Sequence, residues 1–255
     1  MTVTATMDGG VGEVRMDRPD KLNALDDAMV ADFHAALDAV ADARAVLISA
    51  TGRAFSAGRD LSSAEPLTED AEAILRETFN PLLRRIADIE VPTIAAVNGA
   101  CLGVGFGIAF ACDIVVAAAS AKLGSPFAKI GAVLDSGAHR YLAERIGPHR
   151  ALELIYTGRL LSGEEAAAIG LVNRSVADED VEGEAMTMAR DIAAGPTAAF
   201  KESKRIVRGL AVGPMALPAV LEAEGAAQGR IARSADYAEG ITAFQDKRRP
   251  TFEGR

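Results

Sequence analysis

Two glycine-containing turns are the segments of this sequence best suited to chemistry. The first is Phe55-Ser-Ala-Gly-Arg-Asp-Leu61, and the second is Asn98-Gly-Ala-Cys-Leu-Gly-Val-Gly-Phe-Gly107. Each follows an apolar run typical of a strand, and the second leads directly into a predicted helix. Glycine permits sharp backbone turns and the close approach of a ligand. Brought together, two such turns would direct two backbone N–H groups at one oxygen, which is the arrangement of an oxyanion hole for a carbonyl that gains negative charge.

The composition favours a single large domain, with or without a smaller appendage. The chain has 255 residues, of which 49% are hydrophobic and 5% aromatic, and it contains no Trp. Its core must therefore be built mainly from Ala, Val, Leu and Ile. A net charge of -9 disfavours a broad nucleic-acid surface, although a local cluster of basic residues would still suit an anionic ligand.

Targeting and metal signals point to a cytoplasmic protein. Residues 1–7 lack the basic start and apolar core of a signal peptide. The long apolar stretch 94–119 is interrupted by Asn98, glycines and Asp113, so a membrane span is not expected. Cys101 and Cys112 share this segment and are predicted to be buried thiols, which fits a reducing compartment. No spacing is typical of a zinc site, and no metal is expected.

The elements that must position the turns alternate between strand and helix, which predicts an α/β fold. Strands are expected over residues 12–16, 45–50, 93–97, 114–118 and 172–176. The predicted helices include one capped by Asp26 or Asp27, one kinked at Pro81 and one that follows the second turn to about Ala111. Three more are expected over 137–145, from Pro148 to near Gly158, and after the capping box Ser162–Glu165.

The last part of the chain is predicted to be helical throughout. Residues 62–70 are polar, contain Pro66 and are expected to form a loop. From Asp180 onward all signals are helical, with breaks expected at Gly209, Gly213-Pro214 and Pro218. A boundary near residue 195 divides the chain into a core, 1–195, and a helical region, 196–255.

Other interpretations of the second glycine turn can be weighed from its residues. Close packing between helix and strand is as good an account of Gly103-x-Gly105-x-Gly107, taken alone, as a ligand site is. A dinucleotide site is disfavoured because the spacing is not G-x-G-x-x-G and the strand 114–118 is not followed by an acidic residue. A P-loop is excluded because the Lys-Ser/Thr pair is missing.

In combination with other segments, the two turns resemble those of the crotonase superfamily, the enoyl-CoA hydratases and isomerases. The resemblance extends in order over nearly the whole chain. The matching segments are Arg18-Pro-Asp-Lys-Leu-Asn-Ala-Leu25, Phe55–Leu61, Ile94-Ala-Ala-Val-Asn-Gly99, Ala111-Cys-Asp-Ile-Val115, Lys129-Ile-Gly131, Leu160–Ala166 and Gly240–Arg248.

The resemblance implies a spiral of ββα units followed by a C-terminal helical trimerisation region. It also implies an acyl-CoA thioester substrate, a homotrimer or a dimer of trimers, and no cofactor beyond the coenzyme A of the substrate. The thioester oxygen would accept the backbone N–H groups of Arg59 and Val104. Many relatives have Gly at the position of Val104, so the β-branched side chain is expected to narrow the pocket.

Further substrate contacts follow from the same resemblance. The residues implied are Lys21, Leu22, Ala57, Asp60, Leu61, Gly103, Phe127, Phe244 and Lys247. Arg18 and Lys21 would lie near the coenzyme A phosphates, unless they belong to a solvated turn. Phe244 and Lys247 match a segment that approaches the adenine in relatives, although packing within a helix accounts equally well for Phe244.

The general base departs from the hydratase pattern. Hydratases of this family use two glutamates, and the matching positions here hold Gly107 and Phe127, neither of which can carry a proton. Asp135 falls where several isomerases of the superfamily have a catalytic Asp, although a helix N-cap is the ordinary role for Asp before a helix. The local match is nearest to the phenylacetyl-CoA ring-epoxide isomerases and related enoyl-CoA isomerases, which have Pro in place of Leu134.

The sequence therefore predicts an enoyl-CoA isomerase in which Asp135 alone takes and returns the proton. Burial among Val133, Leu134 and Phe127 is expected to raise the pKa of this carboxyl. One carboxylate suffices for isomerisation, whereas hydration must both activate water and protonate the alpha carbon. Two alternatives stay open at this point: an enoyl-CoA hydratase, and a non-catalytic protein that binds acyl-CoA.

Overall fold

A computed structural model describes residues 1–62, 64–65, 68–213 and 215–255. Pro66 and Pro214, which the sequence assigned to a loop and a helix break, lie outside these ranges. The described residues form two β-sheets with helices packed around them, followed by a run of helices. The predicted α/β class is confirmed.

The larger sheet has six strands and forms the centre of the core. In spatial order the strands are β1 (Val3–Asp8), β2 (Val11–Met16), β3 (Ala45–Ala50), β5 (Thr93–Val97), β7 (Ile114–Ala118) and β10 (Arg174–Val176). β1 and β2 are antiparallel and the other neighbours are parallel. Every residue of β3 and β5 is buried, as expected for parallel strands covered on both faces.

A smaller sheet of four short strands lies beside the first. Its spatial order is β4 (Ala54–Ser56), β6 (Ala100–Leu102), β8 (Lys122–Gly124) and β9 (Leu161–Ser162). In the chain, β3, β5 and β7 are each followed by one strand of the smaller sheet and then by a helix. This repetition of ββα units is the predicted spiral.

Ten α-helices connect and cover the sheets within the described ranges. They are α1 (Asp27–Ala39), α2 (Ala71–Ile74), α3 (Asn80–Ala87), α4 (Val104–Ala111), α5 (Ala138–Thr157), α6 (Gly163–Ala168), α7 (Val181–Ala193), α8 (Thr197–Val212), α9 (Leu217–Ile231) and α10 (Ala235–Gln245). The Asp26 side chain caps α1 by accepting from the Met29 N–H at 2.8 Å. Ser162 and Glu165 form the predicted capping box of α6.

Several local predictions differ from the structure. β1 and the strands of the smaller sheet were not expected; the latter have only two or three residues, too few for a recognisable periodicity. At the kink expected at Pro81, the structure has a π-helical turn, Leu75–Phe79, which joins α2 to α3 immediately before the proline and accommodates its missing N–H. Gly209 does not interrupt α8. Gly147 interrupts α5 with non-helical angles, where two helices were predicted.

The C-terminal helices are joined to the sheet by a cluster of charges at Asp113, between α4 and β7. Its carboxylate contacts the Lys204 ammonium and the Arg208 guanidinium of α8, each at 2.7 Å. The same carboxylate accepts from the N–H and the hydroxyl of Thr93 on β5, at 2.8 and 3.0 Å. Asp113 therefore has a structural role at this helix–strand junction.

Candidate active site

The two glycine turns meet at one edge of the smaller sheet. β4 leads into the first turn and β6 into the second, and these strands are parallel hydrogen-bonded neighbours. A Cβ at Gly58 would lie 3.0 Å from the Leu102 carbonyl oxygen and 3.7 Å from the Cα of Gly103. Gly58 and Gly103 also have positive φ angles of 98° and 52°, which residues with a side chain rarely adopt. Both glycines are thus required for the turns to touch.

Hydrogen bonds to Leu25 orient the Arg59 peptide. The Leu25 N–H donates to the Gly58 carbonyl at 2.8 Å, and the Asp60 N–H donates to the Leu25 carbonyl at 2.8 Å. These bonds use the residues on either side of Arg59 and leave its own N–H on the opposite face of the chain, as in a parallel bridge. The Arg59 N–H therefore points away from Leu25.

The second N–H group belongs to Val104, the first residue of α4. The first N–H groups of a helix have no partner within the helix, and the helix dipole favours an anion at this end. Gly103 precedes it in a conformation that turns the chain from β6 into the helix. Within the described part of the chain, neither the Val104 nor the Arg59 N–H donates a hydrogen bond. Both donors are available to an oxygen.

A buried asparagine holds the segment 18–25 against the first turn. The Asn23 amide donates to the carbonyls of Thr51 and Ala54 at 2.9 and 2.8 Å, and its oxygen accepts from the Arg18 N–H at 2.8 Å. Beside it, the Ala57 N–H donates to the Leu22 carbonyl at 2.9 Å. Sequence analysis gave Asn23 no role. Its place in the segment 18–25, which matches the family, was the one signal that could have pointed to it.

The remaining glycines of α4 bring two other segments close. A Cβ at Gly105 would lie 2.6 Å from that of Ser56 on β4, so the packing interpretation is correct for this glycine. A Cβ at Gly107 would lie 2.6 Å from the Ser136 carbonyl oxygen and 2.7 Å from its Cβ. Gly107 therefore leaves no room for a side chain, because the segment next to Asp135 fills that space.

Asp135 begins a tight turn ahead of α5. The Ala138 N–H donates to the Asp135 carbonyl at 3.0 Å, and Ser136 and Gly137 between them have positive φ angles of 55° and 78°. Two central residues with positive φ are typical of a type I′ turn. Gly137 is the N-cap of α5, and no side chain caps that helix. The N-cap role considered for Asp135 is therefore wrong, and Ser136 does not cap the helix either.

The Asp135 carboxyl is partly buried and only partly satisfied. Burial raises its pKa, while the Ser136 hydroxyl and His139 oppose that rise. The Ser136 hydroxyl lies close by but falls short of hydrogen-bond geometry; no described residue pairs with it or with the buried Oδ1 of Asp135. Leu134 is buried as expected, but Val133 is 79% exposed and does not enclose the carboxyl.

Phe127 forms a wall beside the oxyanion turns. It opens a 3₁₀ turn, Phe127–Ile130, and two of its ring carbons lie 3.7 Å from where a Cβ of Gly103 would be. The ring is half-buried, so one part of it remains open to a ligand. Phe106 does not face this space: it is buried and stacked on Phe110 with ring centroids 4.0 Å apart.

Other predicted contact residues lie around the first turn or far along the chain. Lys21 and Leu61 are exposed beside it. The Asp60 carboxylate accepts from the Ser62 N–H and pairs with Arg18 at 2.8 Å, and these contacts lower its pKa to about 2. Arg18 is thereby neutralised, which disfavours its expected contact with phosphate.

The structure does not bring Phe244 and Lys247 against the turns. Phe244, on α10, is 84% exposed, so the alternative of packing within the helical region is wrong. Lys247 follows that helix and is exposed, with a positive φ of 55°. Their contact with the coenzyme A adenine stays a prediction of the resemblance.

One charged pair at the first turn was missed by sequence analysis. The Arg59 guanidinium donates to both carboxylate oxygens of Glu69, at 2.5 and 2.8 Å. The two residues are ten positions apart in a segment without periodicity, and no sequence signal joined them.

Among the described residues, no three His, Cys, Asp or Glu side chains are grouped to hold a metal ion, and none of the helices is long and apolar enough to cross a membrane.

Known proteins are similar to this chain over nearly its whole length. Residues 6–255 match the family model described as enoyl-CoA hydratase/isomerase. A probable enoyl-CoA hydratase of Rhodobacter capsulatus is 38% identical over 255 residues, covering 100% of this chain and 98% of its own. The 1,2-epoxyphenylacetyl-CoA isomerase of Escherichia coli is 34% identical, with 99% and 98% covered.

A solved structure shows the same fold. It is a putative enoyl-CoA hydratase/isomerase from Mycobacterium abscessus, with a TM-score of 0.93 at 38% identity, covering 99% of this chain and 100% of its own. Most of the similar proteins carry hydratase names.

Proposed function

This chain belongs to the enoyl-CoA hydratase/isomerase family, and from that premise we propose that it is an isomerase of enoyl-CoA thioesters, of the double-bond or ring-epoxide type. The Arg59 and Val104 N–H groups bind the thioester oxygen, and Asp135 is the single proton shuttle. Coenzyme A is part of the substrate, and the proposed chemistry calls on no further cofactor. A trimeric or hexameric assembly and a cytoplasmic location stay predictions of the resemblance.

For a double-bond substrate, the reaction moves one proton. The Asp135 carboxylate removes a proton from the alpha carbon, and the C–H electrons pass into the thioester to form an enolate conjugated with the 3,4 double bond. The two N–H groups stabilise the negative oxygen, and losing one such donor typically costs ~3–4 kcal/mol of barrier. The protonated Asp135 then returns the proton to the gamma carbon, so that the double bond moves into conjugation and the carboxylate is regenerated.

The observation that carries this proposal is the close packing of the Asp135 turn against Gly107. Ser136 occupies the position that a side chain at Gly107 would take, one helical turn after Val104. A glutamate at Gly107 would therefore displace the segment that presents Asp135. With Phe127 at the other hydratase position, Asp135 is the carboxylate that the sequence offers for proton transfer, and its raised pKa suits a group that both accepts and returns a proton.

The test compares the wild-type enzyme with the Asp135→Asn variant on a 3-enoyl-CoA and a 2-enoyl-CoA. Asparagine keeps the shape of the side chain but cannot accept the proton. We expect the rate of double-bond migration to fall by ~10²–10⁴-fold, with acyl-CoA affinity largely retained. Full activity of the variant on the migrating substrate would refute the role of Asp135.

Hydration is the second candidate function, and the names of most similar proteins favour it. The same experiment separates the two reactions, because a hydratase would add water to the 2-enoyl-CoA faster than it moved the double bond of the 3-enoyl-CoA. Tight binding of CoA esters with no turnover on either substrate would instead support a non-catalytic binding protein.

A further inference from the structure

Arg59 contributes to the site twice, once through its backbone and once through its side chain. Its N–H is an oxyanion donor in the proposed function, while its guanidinium is bound by the carboxylate of Glu69. We propose that Glu69 is a positioning residue that holds the Arg59 peptide in the orientation needed to bind the thioester oxygen. This inference rests on the proposed function, because it assumes that the Arg59 N–H is a donor.

The contact has the geometry of a strong ion pair. The two guanidinium nitrogens of Arg59 donate to separate oxygens of Glu69, at 2.5 and 2.8 Å, in the bidentate arrangement that restricts both side chains. The side chains of Arg59 and Glu69 are only 29% and 18% exposed. Such a pair fixes an orientation better than a single exposed contact does.

Glu69 is itself held in place by its neighbours. Its N–H donates to the Glu65 carbonyl at 3.1 Å, and the next residue, Asp70, caps α2 by accepting from the Ala73 N–H at 3.0 Å. The hydrogen bonds with Arg59 lower the pKa of Glu69, which is therefore ionised at neutral pH. The carboxylate is thus a fixed, charged anchor at the start of a helix.

The pair adds a second restraint to a peptide whose direction is set by hydrogen bonds to Leu25. Backbone bonds to Leu25 hold the carbonyl of Gly58 and the N–H of Asp60, and Arg18 holds the side chain of Asp60. The ion pair ties the Arg59 side chain to Glu69, and so links this peptide to the α2 side of the site as well. An oxyanion donor is effective only when its N–H is already aimed at the developing charge, so a small rotation of this peptide weakens it.

Kinetics on Glu69→Gln, Arg59→Gln and the double variant test the proposal. Each replacement keeps the backbone N–H at position 59 but removes the bidentate ion pair. We expect each single variant to lower kcat by about tenfold with less than a threefold change in KM, since the loss lies in the transition state. The double variant should be no slower than either single one, because both changes break the same contact.

A matched control breaks another charged pair nearby. Glu72 and Arg76 on α2 form an exposed i,i+4 pair at 3.0 Å, with side chains 77% and 72% exposed. Glu72→Gln should leave kcat and KM at wild-type values. An unchanged kcat in Glu69→Gln, or additive losses in the double variant, would overturn the positioning role. Thermal unfolding of each variant identifies any that fails to fold, and the remaining single variant then decides the test.

A second measurement reports on the oxyanion hole without turnover. A saturated acyl-CoA with a ¹³C-labelled thioester carbonyl is bound to each protein, and the carbonyl stretch is recorded by infrared difference spectroscopy. We expect a shift to lower frequency in the wild type that is smaller in Glu69→Gln and unchanged in Glu72→Gln. Equal shifts in the wild type and Glu69→Gln refute the positioning role alone. No shift in the wild type refutes the proposed function and this inference together.

Discussion

The two halves of the candidate site are built on different principles. The oxyanion half rests on backbone: parallel strands deliver two turns to one sheet edge, and hydrogen bonds to Leu25 set the direction of the Arg59 peptide. The proton-transfer half rests on one turn in which Ser136 has a left-handed backbone and the buried Oδ1 of Asp135 has no described partner. In the first half, hydrogen bonds hold the backbone while the two N–H donors stay available, whereas the second half combines a left-handed residue with an unpartnered carboxyl oxygen.

The difference indicates which half is free to change chemistry. A left-handed residue other than glycine costs ~1–2 kcal/mol, and an unpaired buried polar atom costs more. Groups left in that condition cluster at functional sites, where the surrounding fold holds them. In this molecule the packing of Ser136 on Gly107 supplies that support. In the proposed function, the oxyanion half thus fixes which group is polarised, and the Asp135 turn decides where the proton goes.

The test with the largest expected effect removes one N–H donor from the oxyanion half. Val104→Pro deletes the N–H but suits the first residue of a helix, where proline is tolerated. We expect kcat to fall by ~10²–10³-fold, measured on the substrate that the wild type turns over best. Val104→Ala keeps the N–H and should lose far less. Similar losses in both variants would show that the side chain, and not the backbone donor, matters.

A second test overpacks the contact between the two halves, where Gly107 meets Ser136. Gly107→Ala places a Cβ 2.6 Å from the Ser136 carbonyl oxygen, so it should destabilise the fold by ~1–3 kcal/mol through overpacking and move the Asp135 turn. Gly229 on α9 is the matched control, because nothing lies within 4 Å of its Cβ position. There the same substitution should stabilise by ~0.5–1 kcal/mol through helix propensity. Thermal unfolding at equal protein concentration measures both effects, and stabilisation by Gly107→Ala would refute the close packing.

The oxyanion half was largely predictable from sequence, because its signals are local. Glycines after apolar runs predicted turns after strands, and α4 and β7 lie where the pattern placed them. That the two turns would meet was not readable from spacing, since it depends on the pairing of the short strands β4 and β6. Only the resemblance to a family brought the turns together before the structure did.

The proton-transfer half was less accessible to sequence reasoning. Asp before a helix ordinarily caps it, yet here the turn shifts the cap to Gly137 and leaves the carboxyl free. That outcome depends on a positive φ at Ser136, a residue that gives no such signal. The Arg59–Glu69 pair was also missed, because the path of the chain between those residues cannot be derived from composition or period.

The smallest expected effect concerns folding stability at the Asp135 turn and its dependence on pH. Burial raises the pKa of Asp135 in the folded state above that of the unfolded chain. Between these two values the folded state holds a proton that the unfolded state has lost, so stability falls as pH rises through this interval. At neutral pH the wild type therefore carries the cost of a partly buried charge.

Asp135→Asn removes that charge and should be more stable than the wild type at neutral pH, although it is less active. The advantage should shrink as the pH falls below the unfolded pKa of the carboxyl, where both proteins are neutral at this position. Thermal unfolding of both proteins at a series of pH values measures it. A stability difference that does not change with pH would mean that the Asp135 carboxyl is no more costly to ionise in the folded protein than in water, and the contrast between the two halves would then rest on backbone strain alone.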